Sequence, residues 1–297
     1  MKLRFLVFLL AAVASAASNP FAGRWDITVK AANATYPGWI EVVDGAAGLQ
    51  VRYQPRGGSV RPLKDSRIED SHLILSIAPG TWNFTAAGDS LSGVVKNGTR
   101  ETAQLTGVRA PALDRKAPKS WTKPESLFNG KDLTGWEPTD PKSNHWVAKD
   151  GELLNETKGA NLKSTRKFDD FKLHIELNCP RDGNSGVYLR GRYEMQVEYE
   201  INREDDYHCM GAIYGMVPVS PRMPEKTGTW EAFDITLIGR RVTIVRDGVK
   251  IIDNQEIAGI TGGALDSNEG EPGPFYIQGD HTGGMKYRNI KISVPKK

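Results

Sequence analysis

Apolar residues in this chain recur at every second position over short stretches, and almost nowhere at the 3.6-residue spacing of an amphipathic helix. Trp25, Ile27 and Val29 alternate with polar neighbours, as do Leu73, Leu75 and Ile77. Each such run buries one face of a strand. Gly, Asn, Asp and Pro bound the runs, so the pattern predicts an all-β protein. In the first part of the chain it predicts strands at residues 23–30, 39–44, 49–53, 59–62, 67–69, 72–77, 82–86, 90–95 and 101–108. Asp44-Gly45, Ala87-Gly88-Asp89 and Asn97-Gly98 suit tight turns, because these residue types tolerate positive φ. The expectation for residues 19–111 is a small antiparallel domain, closed or nearly closed into a barrel.

The pattern lapses over residues 112–125, where prolines and lysines predict a linker. It resumes over residues 126–294, with strands predicted at 145–149, 152–155, 161–164, 171–177, 185–189, 193–199, 212–216, 230–238, 241–246, 249–254, 273–278 and 286–294. Asp247-Gly248 between two of them is the strongest hairpin signal in the chain. So many short strands predict two sheets packed face to face. Residues 200–211 and 217–229 lack strand pattern and are rich in charge and proline, as loops that cover a sheet face or carry function often are. The opening Gly23-Arg24-Trp25 resembles the start of the lipocalin group of barrels.

The first seventeen residues depart from all this. A basic start at Lys2 and Arg4 precedes an apolar run from Phe5 to Ala14, then the small residues Ala14-Ser15-Ala16. That order predicts a removable signal peptide and an exported, periplasmic or extracellular protein. The run is too short to span a bilayer, and no other membrane segment is expected. A net charge of +3 with no basic block argues against nucleic acid as a partner. The two cysteines, Cys179 and Cys209, are open to two readings, a disulfide or a pair of buried thiols. No phosphate-binding or dinucleotide fingerprint occurs, and no cofactor is expected. A structural calcium is compatible with the fold class, although no ordered Asp spacing of a calcium loop is present.

A series of motifs in the second region is more specific. Ser126-Leu127-Phe128-Asn129-Gly130-Lys131-Asp132-Leu133-Thr134-Gly135-Trp136 is followed in order by Trp146-Val147-Ala148-Lys149-Asp150-Gly151-Glu152-Leu153 and by Asp170-Phe171-Lys172-Leu173. Then come Gly183-Asn184-Ser185-Gly186-Val187-Tyr188-Leu189-Arg190, Tyr193-Glu194-Met195-Gln196, Gly211-Ala212-Ile213-Tyr214 and Ile277-Gln278-Gly279-Asp280-His281. Taken in register, residues 126–294 resemble the 3-keto-disaccharide hydrolase domain family. The resemblance implies a concanavalin A-like jelly-roll sandwich, an exported bacterial protein, and a carbohydrate partner. It also implies cleavage of glycosides oxidised at C3 of the sugar.

Several residues carry candidate chemistry. On a strand over 193–199, Glu194, Gln196 and Glu198 share one face and Tyr193, Met195, Val197 and Tyr199 the other. The polar set suits a sugar-binding sheet face, and Arg190 lies just before it. Asp280 and His281 follow an expected core strand and precede a Gly-Gly turn, a common setting for a proton-transferring histidine. Glu194, His281, Arg190 and Asp280 are therefore the expected catalytic groups. Glu194 or His281 would act as base or acid in removing the C2 proton beside the ketone, and Arg190 would polarise the ketone. Elimination and hydration complete that route; direct hydrolysis by two carboxylates is the other. Gln196, Glu198, Tyr188, Tyr214, Trp230, Tyr276, Gln278 and His208 are the expected sugar contacts, the aromatics as stacking platforms. A non-catalytic glycan-binding module and a structural envelope protein are the rival expectations.

Overall fold

The computed structural model describes residues 19–46, 48–199 and 205–296. The expected signal peptide, residues 1–17, lies outside them. The protein is all-β, its one helical element being a single 3-10 turn at Pro141–Ser143 among the described residues. None of their helices is long and apolar enough to cross a membrane.

Nine strands form the first sheet: β1 (Gly23–Ala31), β2 (Ala34–Gly45), β3 (Gly48–Gln54), β4 (Arg61–Pro62), β5 (Ser66–Glu69), β6 (His72–Ile77), β7 (Gly80–Ala87), β8 (Ser90–Asn97) and β9 (Arg100–Arg109). Their order is β4-β3-β2-β1-β9-β8-β7-β6-β5, antiparallel throughout. The sheet curls until β3 approaches β5. The alternating residues Trp25, Ile27 and Val29 of β1 meet Leu73 and Leu75 of β6 and Phe84 of β7 in one interior cluster. Strand β2 begins earlier than the pattern predicts, since Pro37 pairs opposite Thr28 without ending the ladder.

The remaining strands build a two-sheet jelly-roll sandwich. They are β10 (Glu125–Ser126), β11 (Trp136–Pro138), β12 (Trp146–Lys149), β13 (Glu152–Asn155), β14 (Leu162–Ser164), β15 (Phe171–Asn178), β16 (Asn184–Leu189) and β17 (Tyr193–Glu198). After them come β18 (Trp230–Ile238), β19 (Arg241–Arg246), β20 (Val249–Glu256), β21 (Tyr276–Ile277) and β22 (Met285–Ser293). One sheet runs β12-β13-β22-β15-β18-β19-β20, with β10 added on β22; the other runs β11-β14-β21-β16-β17. Asp247 and Gly248, both at positive φ, turn β19 into β20 as the sequence signal requires. Phe171, Leu173, Ile175 and Leu177 of β15 pack against Val187, Leu189, Met195 and Val197 of the facing sheet. Residues 212–216, expected as a strand, make isolated bridges only: Ile213 pairs once with Met195 and once with Val217.

Cys179 and Cys209 are free and buried. Burial, with Glu231 and Glu198 nearby, pushes the Cys179 thiol up to about 12. The disulfide reading does not hold in this structure.

The first sheet sits directly on the sandwich. The Trp39 indole lies over Gly259 and packs with Ile260 and Ala264. Thr28 bonds Ser267 at 3.0 Å, and Arg24 pairs with Glu41 and Glu256. Beneath them, Arg240 makes a bidentate, fully buried pair with Glu269 at 2.7–2.8 Å. Residues 110–124 lie along the sandwich, with Pro111 accepting a hydrogen bond from Arg240 and Arg115 pairing with Asp169 and Asp170.

Candidate functional site

The β16–β17 hairpin is buried on both faces along its whole length. Its core face pairs Val187 with Met195 and Leu189 with Tyr193. Its other face pairs Asn184 with Glu198, Gly186 with Gln196, and Tyr188 with Glu194. That second face is polar and still shielded from solvent, because later segments fold over it. Residues 211–214 bond to the free edge of β17, through Gln196 N–H to Ala212 O and Tyr214 N–H to Glu194 O. Thr261 Oγ1 accepts the Glu194 N–H at 2.9 Å.

Between these covers lies an open cavity of about 350 Å³. Its floor is Glu194, Gln196, Asn184 and Gln278, and Tyr214 and Tyr276 flank it. Gly186 makes the floor possible. A Cβ there would stand 2.4 Å from Glu194 Oε1 and 3.0 Å from Gln278 Oε1, so the missing side chain is the space these two acceptors occupy. Glu194 also bonds the Tyr188 hydroxyl, and burial followed by the Glu194 charge keeps that phenol protonated far above its usual range. Gln278 donates its amide to Tyr188 at 3.0 Å, while its Oε1 is buried without a partner beside the cavity.

On the far side, Asn161 organises a second group. Its Oδ1 accepts the N–H of Gly279 and of Asp280 at 2.7 and 3.1 Å, and its amide donates to Tyr276 Oη and Asp280. Asp280 Oδ1 meets His281 Nδ1 at 2.7 Å. Burial works to raise the Asp280 carboxyl, but the His281 and Asn161 contacts outweigh it and hold the group below the ordinary carboxylate range. An ionised carboxylate only accepts, so His281 Nδ1 must donate. The neutral ring then carries its lone pair on Nε2, the tautomer a general base uses. Tyr276 is kept protonated by burial and by the nearby Asp280 charge. With its oxygen already accepting from Asn161, its own proton is free to be donated. The cavity thus gathers a carboxyl group, a carboxylate-oriented imidazole, a phenol donor and several amides, a set able to move protons and to read hydroxyls.

Residues 123–293 match the model of the 3-keto-alpha-glucoside-1,2-lyase-like domain. The chain belongs to this family. No curated protein matches it. Among solved structures, a candidate glycosyl hydrolase from Parabacteroides distasonis is 24% identical, with a TM-score of 0.49 over 60% of this chain and 92% of that one. The carbohydrate-binding module CBM66 of Bacillus subtilis gives 16% identity and a TM-score of 0.37, over 55% of this chain and 97% of its own. SCLam, a non-specific endo-β-1,3(4)-glucanase, gives 9% identity and a TM-score of 0.38, over 61% and 94%. Every cavity-lining residue falls inside the family match except Gly57 and Gly58, which come from the first sheet.

Of the residues expected from sequence, the cavity brings together Glu194, Gln196, Tyr214, Tyr276, Gln278, Asp280 and His281. Tyr188 stands behind them as a support, bonded to Gly262 O at 2.5 Å. Four others lie elsewhere. Arg190, expected to polarise the ketone, is at positive φ in the hairpin turn, which sends its guanidinium under the turn. There it bonds Gly239 O and the Tyr193 hydroxyl and pairs with Asp169, fully buried. Glu198 faces a separate small pocket beside Cys209 and Arg246, and accepts from Asn184. Trp230 belongs to the opposite sheet, with Arg288 stacked 4.0 Å over its ring. His208 is bonded between Asp205 and Ser59, edge-on to Tyr214 but outside the lining. Sequence reasoning did not single out Asn161, although it stands at the start of an expected strand. Among the described residues, no group of three or more His, Cys, Asp or Glu is placed to hold a metal ion.

Proposed function

We propose that this protein is an exported enzyme that cleaves 3-keto-glycosides in the cavity over the β16–β17 hairpin. Membership of the 3-keto-alpha-glucoside-1,2-lyase-like family supports the substrate class. The observation that carries the reading is the convergence of Glu194 and the Asp280–His281 pair on one cavity, although 86 residues separate Glu194 from Asp280 in the chain.

A ketone at C3 acidifies the C2 proton. Glu194 or His281 removes it, and the Tyr276 hydroxyl donates to the enolate oxygen that develops. The electron pair then expels the leaving group at C1 as the other of the two groups protonates it. Addition of water to the resulting double bond gives the free 3-keto sugar. Gln278 and Asn184 amides hold the remaining hydroxyls. Arg190 has no part in this scheme.

The test is release of 3-keto-glucose from a 3-keto-glucoside by the protein without residues 1–17. Glu194→Gln and His281→Ala are each expected to lower kcat by about 10²–10⁴-fold in folded protein. Saturable sugar binding without turnover by the wild type would move the reading to a glycan-binding module. Neither binding nor turnover would favour a structural envelope protein.

A further inference from the structure

The cavity is not built by the family region alone. We infer that the first sheet supplies a fixed end wall to the cleft, through the turn at residues 54–59, and that this wall restricts the substrate to short glycosides. The inference rests on the cavity being the saccharide site proposed above.

The turn is held from within. Gln54 is buried, and its amide donates to Pro55 O at 2.9 Å and Gly58 O at 2.7 Å. Gly57 and Gly58 are both at positive φ, a conformation that glycine alone adopts freely. The turn is also seated on the sandwich at backbone range. A Cβ on Gly262 would stand 2.2 Å from Gly58 O, and one on Gly215 would stand 2.7 Å from Ser59 Cβ. Ser59 Oγ bonds His208 Nε2, whose Nδ1 bonds Asp205. Trp39 over Gly259 braces the same face.

Its position in the cleft gives the consequence. The cavity crosses the strands from Asn161, Asp280 and His281 on the β14–β21 side, over β16, to Glu194 on β17. Past β17 come residues 211–214, and against Gly215 and Gly262 stands the turn. A sheet face left open at that edge would let a glycan continue outward. Here the glycan meets the backbone of Gly57 and Gly58. The cavity volume of about 350 Å³ lies at the small end of the range for small-molecule pockets. It suits one or two sugar rings, presented as a free glycoside or a chain end.

The experiment is a calorimetric affinity series with methyl α-glucoside, maltose, maltotriose and maltotetraose, each oxidised at C3 of the non-reducing unit. It is run in the Glu194→Gln background so that the ligands are not turned over, the unaltered first sheet standing as wild type. Wild-type protein is expected to bind the tri- and tetrasaccharide at least tenfold more weakly than the disaccharide. Ser59→Ala releases the tether to His208 and is expected to shrink that gap to threefold or less. Gly57→Asn adds a side chain where a Cβ meets nothing within 4 Å, using the residue that best tolerates positive φ after glycine. It is expected to weaken the disaccharide at least tenfold more than it weakens methyl 3-keto-α-glucoside, and it keeps the test intact if Ser59→Ala fails to fold. Affinity that stays level or rises with length in the wild type overturns the wall and leaves the saccharide cleft standing. Binding by no member of the series overturns both.

Discussion

The first sheet and the β16–β17 hairpin place polar residues in opposite ways. In β1, Trp25, Ile27 and Val29 point into the curled sheet, and the polar residues between them keep some access to solvent except Asp26, which is buried at the seam. In β16 and β17 all twelve residues are buried, among them Asn184, Ser185, Glu194, Gln196 and Glu198. Strands that bury carboxyl and amide groups on one face incur a desolvation cost that a merely structural strand avoids. Three buried glutamates show how that cost is met. Glu269 has Arg240 and the Tyr193 hydroxyl; Glu231 has Arg246 and the Tyr199 hydroxyl. Glu194 instead borders a cavity, with Tyr188 on one side and the gap over Gly186 on the other. The first two carboxylates lock the structure, and the third lines the cavity.

That contrast is broken most severely at a lock. Glu269→Gln leaves the buried Arg240 guanidinium without its counter-charge, and it also weakens the bond to Tyr193. Removing one partner of a buried pair costs about 3–5 kcal/mol. Denaturant unfolding should show this loss, with sugar turnover by the remaining folded protein little changed. A comparable loss of turnover at full stability would mean that Glu269 belongs to the site.

Gly186→Ala makes the complementary test. The added methyl competes with Glu194 Oε1 and Gln278 Oε1 for one space, so the carboxyl group must move while the core face of β16 is untouched. Displacing a reacting group by about 1 Å costs about 10²-fold in rate. The expected result is a fall of that size in kcat/KM with an unfolding midpoint close to that of the wild type. Unchanged kinetics would remove Glu194 from the chemistry.

The same contrast explains what the sequence discloses. The alternation of Trp25, Ile27 and Val29 is legible because one face of β1 packs apolar residues into the curled sheet and the other carries polar ones, Asp26 at the seam included. The period-two set Glu194, Gln196 and Glu198 correctly marks a shared face, but whether that face is solvated or covered depends on residues 205–219 and 258–265. The first of those segments offers only the short run 212–216, which makes isolated bridges and no strand, and the second carries no periodic signal. Arg190 was assigned to the site by nearness in sequence, and one residue at positive φ is enough to turn it away. Asn161 acts through backbone N–H groups more than a hundred residues away, and Gly57 through Gly58 and its contact with Gly262. No local pattern encodes such contacts.

A further expected effect concerns the seam between the two regions and depends on pH. Asp26 of β1 is buried there. Burial first, then the hydrogen bond and charge of Glu269, raise its carboxyl to about 9, against an ordinary value of about 4. Between those two values the folded protein holds a proton that the unfolded chain has released. The contribution of Asp26 is therefore complete below about pH 4 and declines as pH rises toward 9, at no more than about 1.4 kcal/mol per pH unit. This is the reverse of the usual depressed carboxylate, whose contribution is lost on acidification. Asp26→Asn keeps a neutral donor toward Glu269 and removes the titration. Unfolding free energies measured from pH 5 to pH 8.5 should therefore fall less steeply in Asp26→Asn than in the wild type. Equal slopes would show that Asp26 is ionised in the fold, with Arg240 then shared between two charged carboxylates.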